Sequence, residues 1–522
     1  MTKGVKEQIE PRETHGRDML STLKGQGIKG PPYRFIHGNN KEVTKMKQKA
    51  LSKSVGLTDD LFPKVEPHFY TWTNRYARGV HHRSPLPVVI QGSSLVPTSS
   101  SSLEHGPSTH EELTLSASEE RGLSAHSAHA DCVAQPQSRV DSSVQQSASS
   151  LGGKWAKHRK LANHTFHRES LKNMTPAIIA SVETMLEKWN GRQGKEIEAY
   201  QEFRLLTSEV ISRTTFGSSY LEGEKIFAML DKSTIIVSQN LSKTRIPLIS
   251  KLWKSADLLE SEKLAKEIQD RVMKIVKKRE DKVVNGEVNS FGNDFLGLLV
   301  NAYHDSDEKN RISLEDLVAE CKTFYFAGQE TVNSLLAWIV LHLAIHGDWQ
   351  EKGRREVVDI FGNQNPHLEG IAKLKIMTMI INETLRLYGP TTVLQRTVIR
   401  EIQLGKLLLP ANIDILPLNI GLHRNPHFWG NDVHHFKLER FAEGIAKATN
   451  YTAAAFFPFG LGPRSCVGMT FAMIETKIAL SMILQRYTIT LSPAYVHSPI
   501  LILTRQPQNG IQVILEPIHS NA

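Results

Sequence analysis

Cys466 lies in a loop of Pro and Gly, residues 456–468 reading FFPFGLGPRSCVG, and an apolar helical pattern follows it. A thiol just before a helix gains from the partial positive charge at the helix N-terminus, which favours the thiolate. Arg464 adds a fixed cation upstream and Phe459 adds a ring. Gly462 and Gly468 let the backbone come close to something bulky and flat. A thiolate, a cation and a glycine-lined loop within one turn suit an anionic, metal-centred cofactor such as haem. A lone cysteine is more often a buried packing residue. The full spacing Phe-x-x-Gly-x-Arg-x-Cys-x-Gly favours the ligand.

A second constellation is Ala327-Gly328-Gln329-Glu330-Thr331. Gly inside a helix costs about 1 kcal/mol relative to Ala. An acid beside a hydroxyl in apolar surroundings costs more unless both are paired. Such a cost suggests a gap for a diatomic ligand with a route for protons. The plainer alternative is a kink in which Thr331 bonds back to a carbonyl. A third pair, Glu383 and Arg386, sits one turn apart on a single helix face. As an exposed pair it would be worth only about 0–1 kcal/mol.

These residues need elements to hold them. Ser313 is placed to cap a helix with Asp316 in the capping-box position. Leu314, Leu317, Cys321, Phe324, Gly328, Val332, Leu335 and Ile339 then recur by threes and fours until Gly347. This predicts a helix over 314–346, about 50 Å long and buried around most of its girth. Residues 374–388 read as another helix, ended by Gly389-Pro390. Trp155 and Arg159 share a face of a helix that opens the region after residue 150. Amphipathic runs follow at 182–189, 201–216, 224–239 and 257–281. Short extended pieces are predicted at 393–399 and 402–409. Residues 500–504 and 511–515 flank Pro507-Gln508-Asn509-Gly510 and read as a β-hairpin.

The chain has 522 residues, 40% hydrophobic and 22% charged, enough for a sizeable core. Its net charge of +9 comes from dispersed Lys and Arg with no basic run interleaved with aromatics, so nucleic acid is not the expected partner. Three scattered cysteines, Cys132, Cys321 and Cys466, argue against a disulfide framework and for a reducing compartment. The N-terminus carries no apolar stretch, and no apolar run reaches the roughly 18 residues of a spanning helix. Residues 1–77 are polar with short helical patterns. Residues 78–150 are Ser-rich, nearly without periodicity apart from 87–90, and predicted to be disordered. Residues 151–522 form the expected core.

The loop around Phe459, Gly462, Arg464, Cys466 and Gly468 resembles the haem-ligand signature of the cytochromes P-450, and the agreement runs in order from Gly152 to Leu515. The wording AGQET and HRNPHFWG is similar to the plant group that includes secologanin synthase. The resemblance implies a mainly α fold with small β-sheets, one large haem domain with a long central helix, and Cys466 as the axial iron ligand. It implies that Thr331 and Glu330 deliver protons to the dioxygen being reduced, although Val332 stands where many members have a second hydroxyl. It implies that Glu383 and Arg386 are joined by Arg440, in Phe436–Phe441, as a structural brace; Leu438 replaces the usual Pro. Trp155, Arg159, Arg396 and Arg464 match the partners of the haem propionates.

The resemblance further implies a monooxygenase that hydroxylates a lipophilic small molecule of terpenoid, steroid-like or hormone class. Electrons would come from an NADPH-cytochrome reductase at the cytosolic face of the endoplasmic reticulum membrane, with only peripheral membrane contact expected for a chain without an anchor helix. Two features depart from the pattern: that anchor, and the first β-sheet, whose place the Ser-rich stretch takes. The abrupt change predicts a misassembled or alternatively spliced segment. Two other readings stay open: a haem-thiolate isomerase or dehydratase acting on a peroxide, and a truncated haem protein without turnover.

Overall fold

The computed structural model describes residues 25–26, 40–53, 55–76, 152–192, 194–218, 220–240, 255–404 and 407–518, together with the backbone of 88–91 and 133–134. The longest element is α9 (Leu314–Ile345), preceded in chain order by α1 (Asn40–Leu51), α2 (Pro67–Tyr76), α3 (Gly152–Thr165), α4 (Arg168–Asn190), α5 (Ala199–Phe216), α6 (Tyr220–Asn240), α7 (Ala256–Val284) and α8 (Phe295–Tyr303). After it come α10 (Gly347–Phe361), α11 (Lys375–Tyr388) and α12 (Met469–Leu484). The Ser313 hydroxyl accepts the Asp316 N–H at 3.1 Å, so α9 starts where the capping pattern places it. Leu336, Ala337, Trp338, Ile339 and Leu341 are fully buried, as expected of a central helix apolar on nearly every side. Helices α5, α8, α11 and α12 pack directly on it.

The β-structure is small and peripheral. Strands β1 (Val88–Gln91), β7 (Asp414–Pro417), β4 (Arg396–Val398) and β2 (Val133–Ala134) form one sheet in that order, and every pairing in it is antiparallel. Both edge strands come from the Ser-rich stretch, which therefore contributes to a sheet where none was expected. Val88-Val89-Ile90 is β-branched and suits a strand. The rest of that stretch lies outside the described residues. Strands β5 (Ile402–Leu404) and β6 (Leu407–Leu409) form a hairpin beside it.

The predicted C-terminal hairpin is paired differently. Strand β9 (Pro499–Leu501) pairs with β10 (Arg505–Pro507), while β11 (Gln512–Pro517) joins a second sheet with β8 (Tyr487–Leu491) and β3 (Glu196–Glu198). The turn at Asn509-Gly510 thus passes the chain from one sheet to another. Glu198 fixes the handover: its Oε1 accepts the Ile511 N–H at 2.7 Å while the same carboxylate caps α5 through Tyr200 and Gln201. Among the described residues no helix is long and apolar enough to cross a membrane.

Candidate functional site

The Cys466 loop is held by its own backbone. The Cys466 N–H donates to Phe459 O at 2.8 Å, and the Ser465 N–H to Gly462 O at 2.9 Å. Gly460 and Gly462 take φ of 75° and 76°, a conformation that any β-carbon would strain. Gly468 has an ordinary backbone and caps α12; a β-carbon added there would meet nothing within 4 Å. The Cys466 side chain is accessible. Enough protein surrounds it that burial pushes its thiol pKa up, opposed by the Gly468 N–H and the charge of Arg159.

Three arginines stand around this loop. Arg159, from α3, donates to Ser465 O at 2.6 Å and to Asn163 Oδ1 at 2.9 Å. The Arg464 guanidinium lies over the Trp155 ring, 4.4 Å from its centroid. Arg396, the first residue of β4, donates to Gln395 O. Burial lowers the basicity of all three. Arg464 then bears on Arg396, and Arg159 on Arg464, by like-charge repulsion. The structure therefore gathers Trp155, Arg159, Arg396, Phe459, Arg464 and Gly468 about Cys466.

The long helix has an open face. Ala327 is exposed and Thr323, Phe324, Gly328 and Thr331 are half-buried, although Gln329, Glu330 and Val332 beside them are buried. Thr331 Oγ1 donates to Ala327 O at 2.8 Å, the back-bond expected of the plainer alternative. Gly328 also has a packing cause: a β-carbon there would collide with the Ile211 side chain of α5.

Glu330 is buried and heavily bonded. Its Oε1 accepts from Tyr200 Oη at 3.0 Å, Thr504 Oγ1 at 2.7 Å and Gln506 Nε2 at 2.5 Å. Burial still raises its pKa above the ordinary carboxylate value, against these three donors and the charge of Arg204. Sequence reading missed Tyr200, Thr504 and Gln506, which are far from Glu330 along the chain. One signal was available: Glu330, Ser334 and Trp338 recur every fourth residue, a stripe of polar atoms along an otherwise apolar helix.

The structure brings Glu383, Arg386 and Arg440 together. Arg386 Nε reaches Glu383 Oε2 and Nη2 reaches Oε1, both at 2.7 Å, with both side chains fully buried. The remaining Arg386 donors go to the carbonyls of His423, Val433 and His435. Arg440 Nε stands 3.5 Å from Glu383 Oε1, and its Nη2 binds Asp432. Lys437 N–H also donates to Glu383 Oε1. This is a bidentate, fully desolvated pair rather than an exposed one. It pins α11 to the segment leading into the Cys466 loop.

The donor set around Cys466 fits haem. No three His, Cys, Asp or Glu side chains among the described residues converge as metal ligands. A metal at Cys466 would therefore bring most of its own ligands, and three arginines suit the carboxylates such a macrocycle carries.

Comparison with known proteins gives the same answer. The family described as Cytochrome P450 matches residues 127–514. The chain is 49% identical over 500 residues to Cytochrome P450 CYP749A22 of Panax ginseng, covering 95% of this chain and 91% of that one. It is 36% identical over 511 residues to 11-oxo-beta-amyrin 30-oxidase of Glycyrrhiza uralensis, covering 95% and 92%. Retinoic acid bound cyanobacterial CYP120A1 shares the fold, with a TM-score of 0.61 and 24% identity over 71% of this chain and 80% of that one. With the family model matching most of the chain and near-full-length plant relatives at 36% and 49% identity, the chain belongs to the cytochromes P450, a plant-type haem monooxygenase.

Proposed function

We propose that the chain hydroxylates a lipophilic small molecule of terpenoid or related class, using dioxygen and electrons from an NADPH-dependent reductase at the cytosolic face of the endoplasmic reticulum. A plant relative named for oxidising 11-oxo-beta-amyrin supports the substrate class. Cys466 would hold a haem through its sulfur, and the group would supply oxygen activation there, a thiolate ligand being electron-donating. Arg159, Arg396 and Arg464 would bind its carboxylates, with Arg464 oriented by its stacking on Trp155. Phe459 and Gly468 set the loop that presents the sulfur.

On the long helix, Thr331 and Glu330 would move protons. The Thr331 proton is engaged by Ala327 O, which leaves Oγ1 free to accept on the open face. Glu330 is the acid whose burial favours its protonated form. Glu383, Arg386 and Arg440 brace the loop and take no chemical part.

The observation that carries the reading is the accessible Cys466 sulfur inside a cluster of three arginines. The test is turnover of a terpenoid panel by the haem-loaded chain with a P450 reductase and NADPH, beside the same panel given an organic peroxide alone. The reading expects hydroxylated product with reductase and NADPH. Rearranged product from peroxide alone, with none from the reductase system, would replace it with the isomerase or dehydratase reading.

A further inference from the structure

The stripe Glu330, Ser334 and Trp338 on α9 grips one short segment, Thr504-Arg505-Gln506, at the return of the β9–β10 hairpin. Ser334 Oγ donates to Arg505 O at 2.6 Å, and Trp338 Nε1 donates to the same carbonyl at 3.3 Å. Thr504 and Gln506 flank that carbonyl and both donate to Glu330. The buried Arg505 guanidinium anchors the strap's far side by donating to Leu387 O, near the end of α11. Tyr200, at the start of α5, reaches Glu330 from a third element. Glu198 ties that helix start to Ile511 of the same C-terminal segment.

Three donors from two parts of the fold, α5 and the strap, thus end on one carboxyl oxygen, Oε1, which leaves Oε2 to carry the acid's proton. A structural site would be filled with less cost by an amide or an apolar side chain, since each buried carboxyl must be desolvated. Next to Thr504 the chain is strained: Leu503 holds a φ of 59°, a conformation uncommon for a residue with a β-carbon. The Ile502 N–H to Thr504 O bond, 3.0 Å, keeps it there.

We propose that Tyr200, Thr504 and Gln506 are positioning residues for proton delivery: they orient the Glu330 carboxyl beside Thr331, so that the strap, and not α9 alone, sets whether reduced oxygen receives its protons productively. This rests on the monooxygenase reading. Loosening any of the three donors turns the carboxyl, and electrons drawn from NADPH then leave as hydrogen peroxide, dioxygen taking up two electrons and two protons from solvent.

The experiment uses the haem-loaded full chain with Thr504→Val, Gln506→Leu and Tyr200→Phe, and Thr504→Ser as the rescue. Two readouts are taken. One is the infrared carboxyl band of Glu330, identified as the band that Glu330→Gln removes from the carbon monoxide complex. The other is hydrogen peroxide released per NADPH consumed with reductase. The proposal expects each donor variant to keep the red-shifted carbon monoxide Soret band of thiolate-bound haem. Each should move the Glu330 band to higher frequency and raise the peroxide ratio several-fold, and Thr504→Ser should restore both. Should Thr504→Val fail to load haem, Gln506→Leu carries the same test from the strap and Tyr200→Phe carries it from α5. Variants in which the band and the ratio do not move together overturn the proposal, as do variants in which neither moves. A wild-type chain without the thiolate Soret band overturns the monooxygenase reading along with this one. A normal band with unmoved variants overturns this one alone.

Discussion

Glu66 and Glu330 are both carboxyls taken out of water, and their partners set them apart. Glu330 has three donors on one oxygen. Glu66 has one, the Thr392 hydroxyl at 3.2 Å, and burial pushes its pKa up from 4.5 to about 7, against the charges of Lys47 and Arg505. A carboxyl whose folded pKa is raised binds its proton more tightly in the folded state. Stability from that proton is fully present below pH 4.5 and is lost as the pH climbs through about 7. The shift corresponds to about 3 kcal/mol. Glu66→Gln keeps the shape without the charge. Urea unfolding should show the variant more stable than wild type by about that amount at pH 8, with the gap closing toward pH 4. Unfolding curves with the same gap at both pH values would contradict the burial account.

Two contacts between elements decide how the long helix and the brace are held. Gly328 exists where Ile211 presses on α9, so Gly328→Ala should overpack that crossing and cost about 1–3 kcal/mol. Removing the opposing side chain with Ile211→Ala should relieve the clash. A double-mutant cycle on thermal or urea unfolding should therefore show a favourable coupling between the two changes; additive losses would mean that Gly328 serves something other than packing. The Glu383–Arg386 pair behaves in another way. Every Arg386 nitrogen has a buried acceptor, in a planar array that Lys cannot reproduce. Arg386→Lys should cost about 3–5 kcal/mol in urea unfolding, since it leaves buried acceptors without donors. A loss below about 1 kcal/mol, the scale of a surface pair, would show that the brace is not needed.

At the scale of the whole molecule, the proposed haem site holds like charges together: Arg464 repels both Arg159 and Arg396 near Cys466. A cofactor that binds only the folded chain and neutralises them stabilises it. The haem-free chain should melt at a lower temperature, and added salt should raise that temperature more than it raises that of the loaded chain, because screening substitutes for the missing carboxylates. An equal salt response in both would place the carboxylates elsewhere.

Much of this architecture was legible before the structure. Local patterns carried it: the Ser313 cap, the three-and-four spacing from Leu314 to Ile345, and the Cys466 loop before α12. What was not legible depends on long-range partners. The Asn509-Gly510 turn looks the same whether its flanks pair with each other or with different sheets, and Glu198 decides the matter from far away in the chain. The packing of Ile211 on Gly328 leaves no local trace in the sequence. The strap at Thr504-Arg505-Gln506 is likewise visible only once β9 and β10 lie against α9. Val133–Ala134 shows a further limit, since a strand this short leaves almost no periodicity and is recognised by the sheet it completes.

The central claim is that Cys466 is the ligand through which the chain activates oxygen. The most direct measurement is the carbon monoxide difference spectrum of the reduced, haem-loaded chain beside that of Cys466→Ala. The account predicts the red-shifted Soret band of a thiolate-bound haem in the wild type and its loss in the variant; the same band surviving in Cys466→Ala would contradict it.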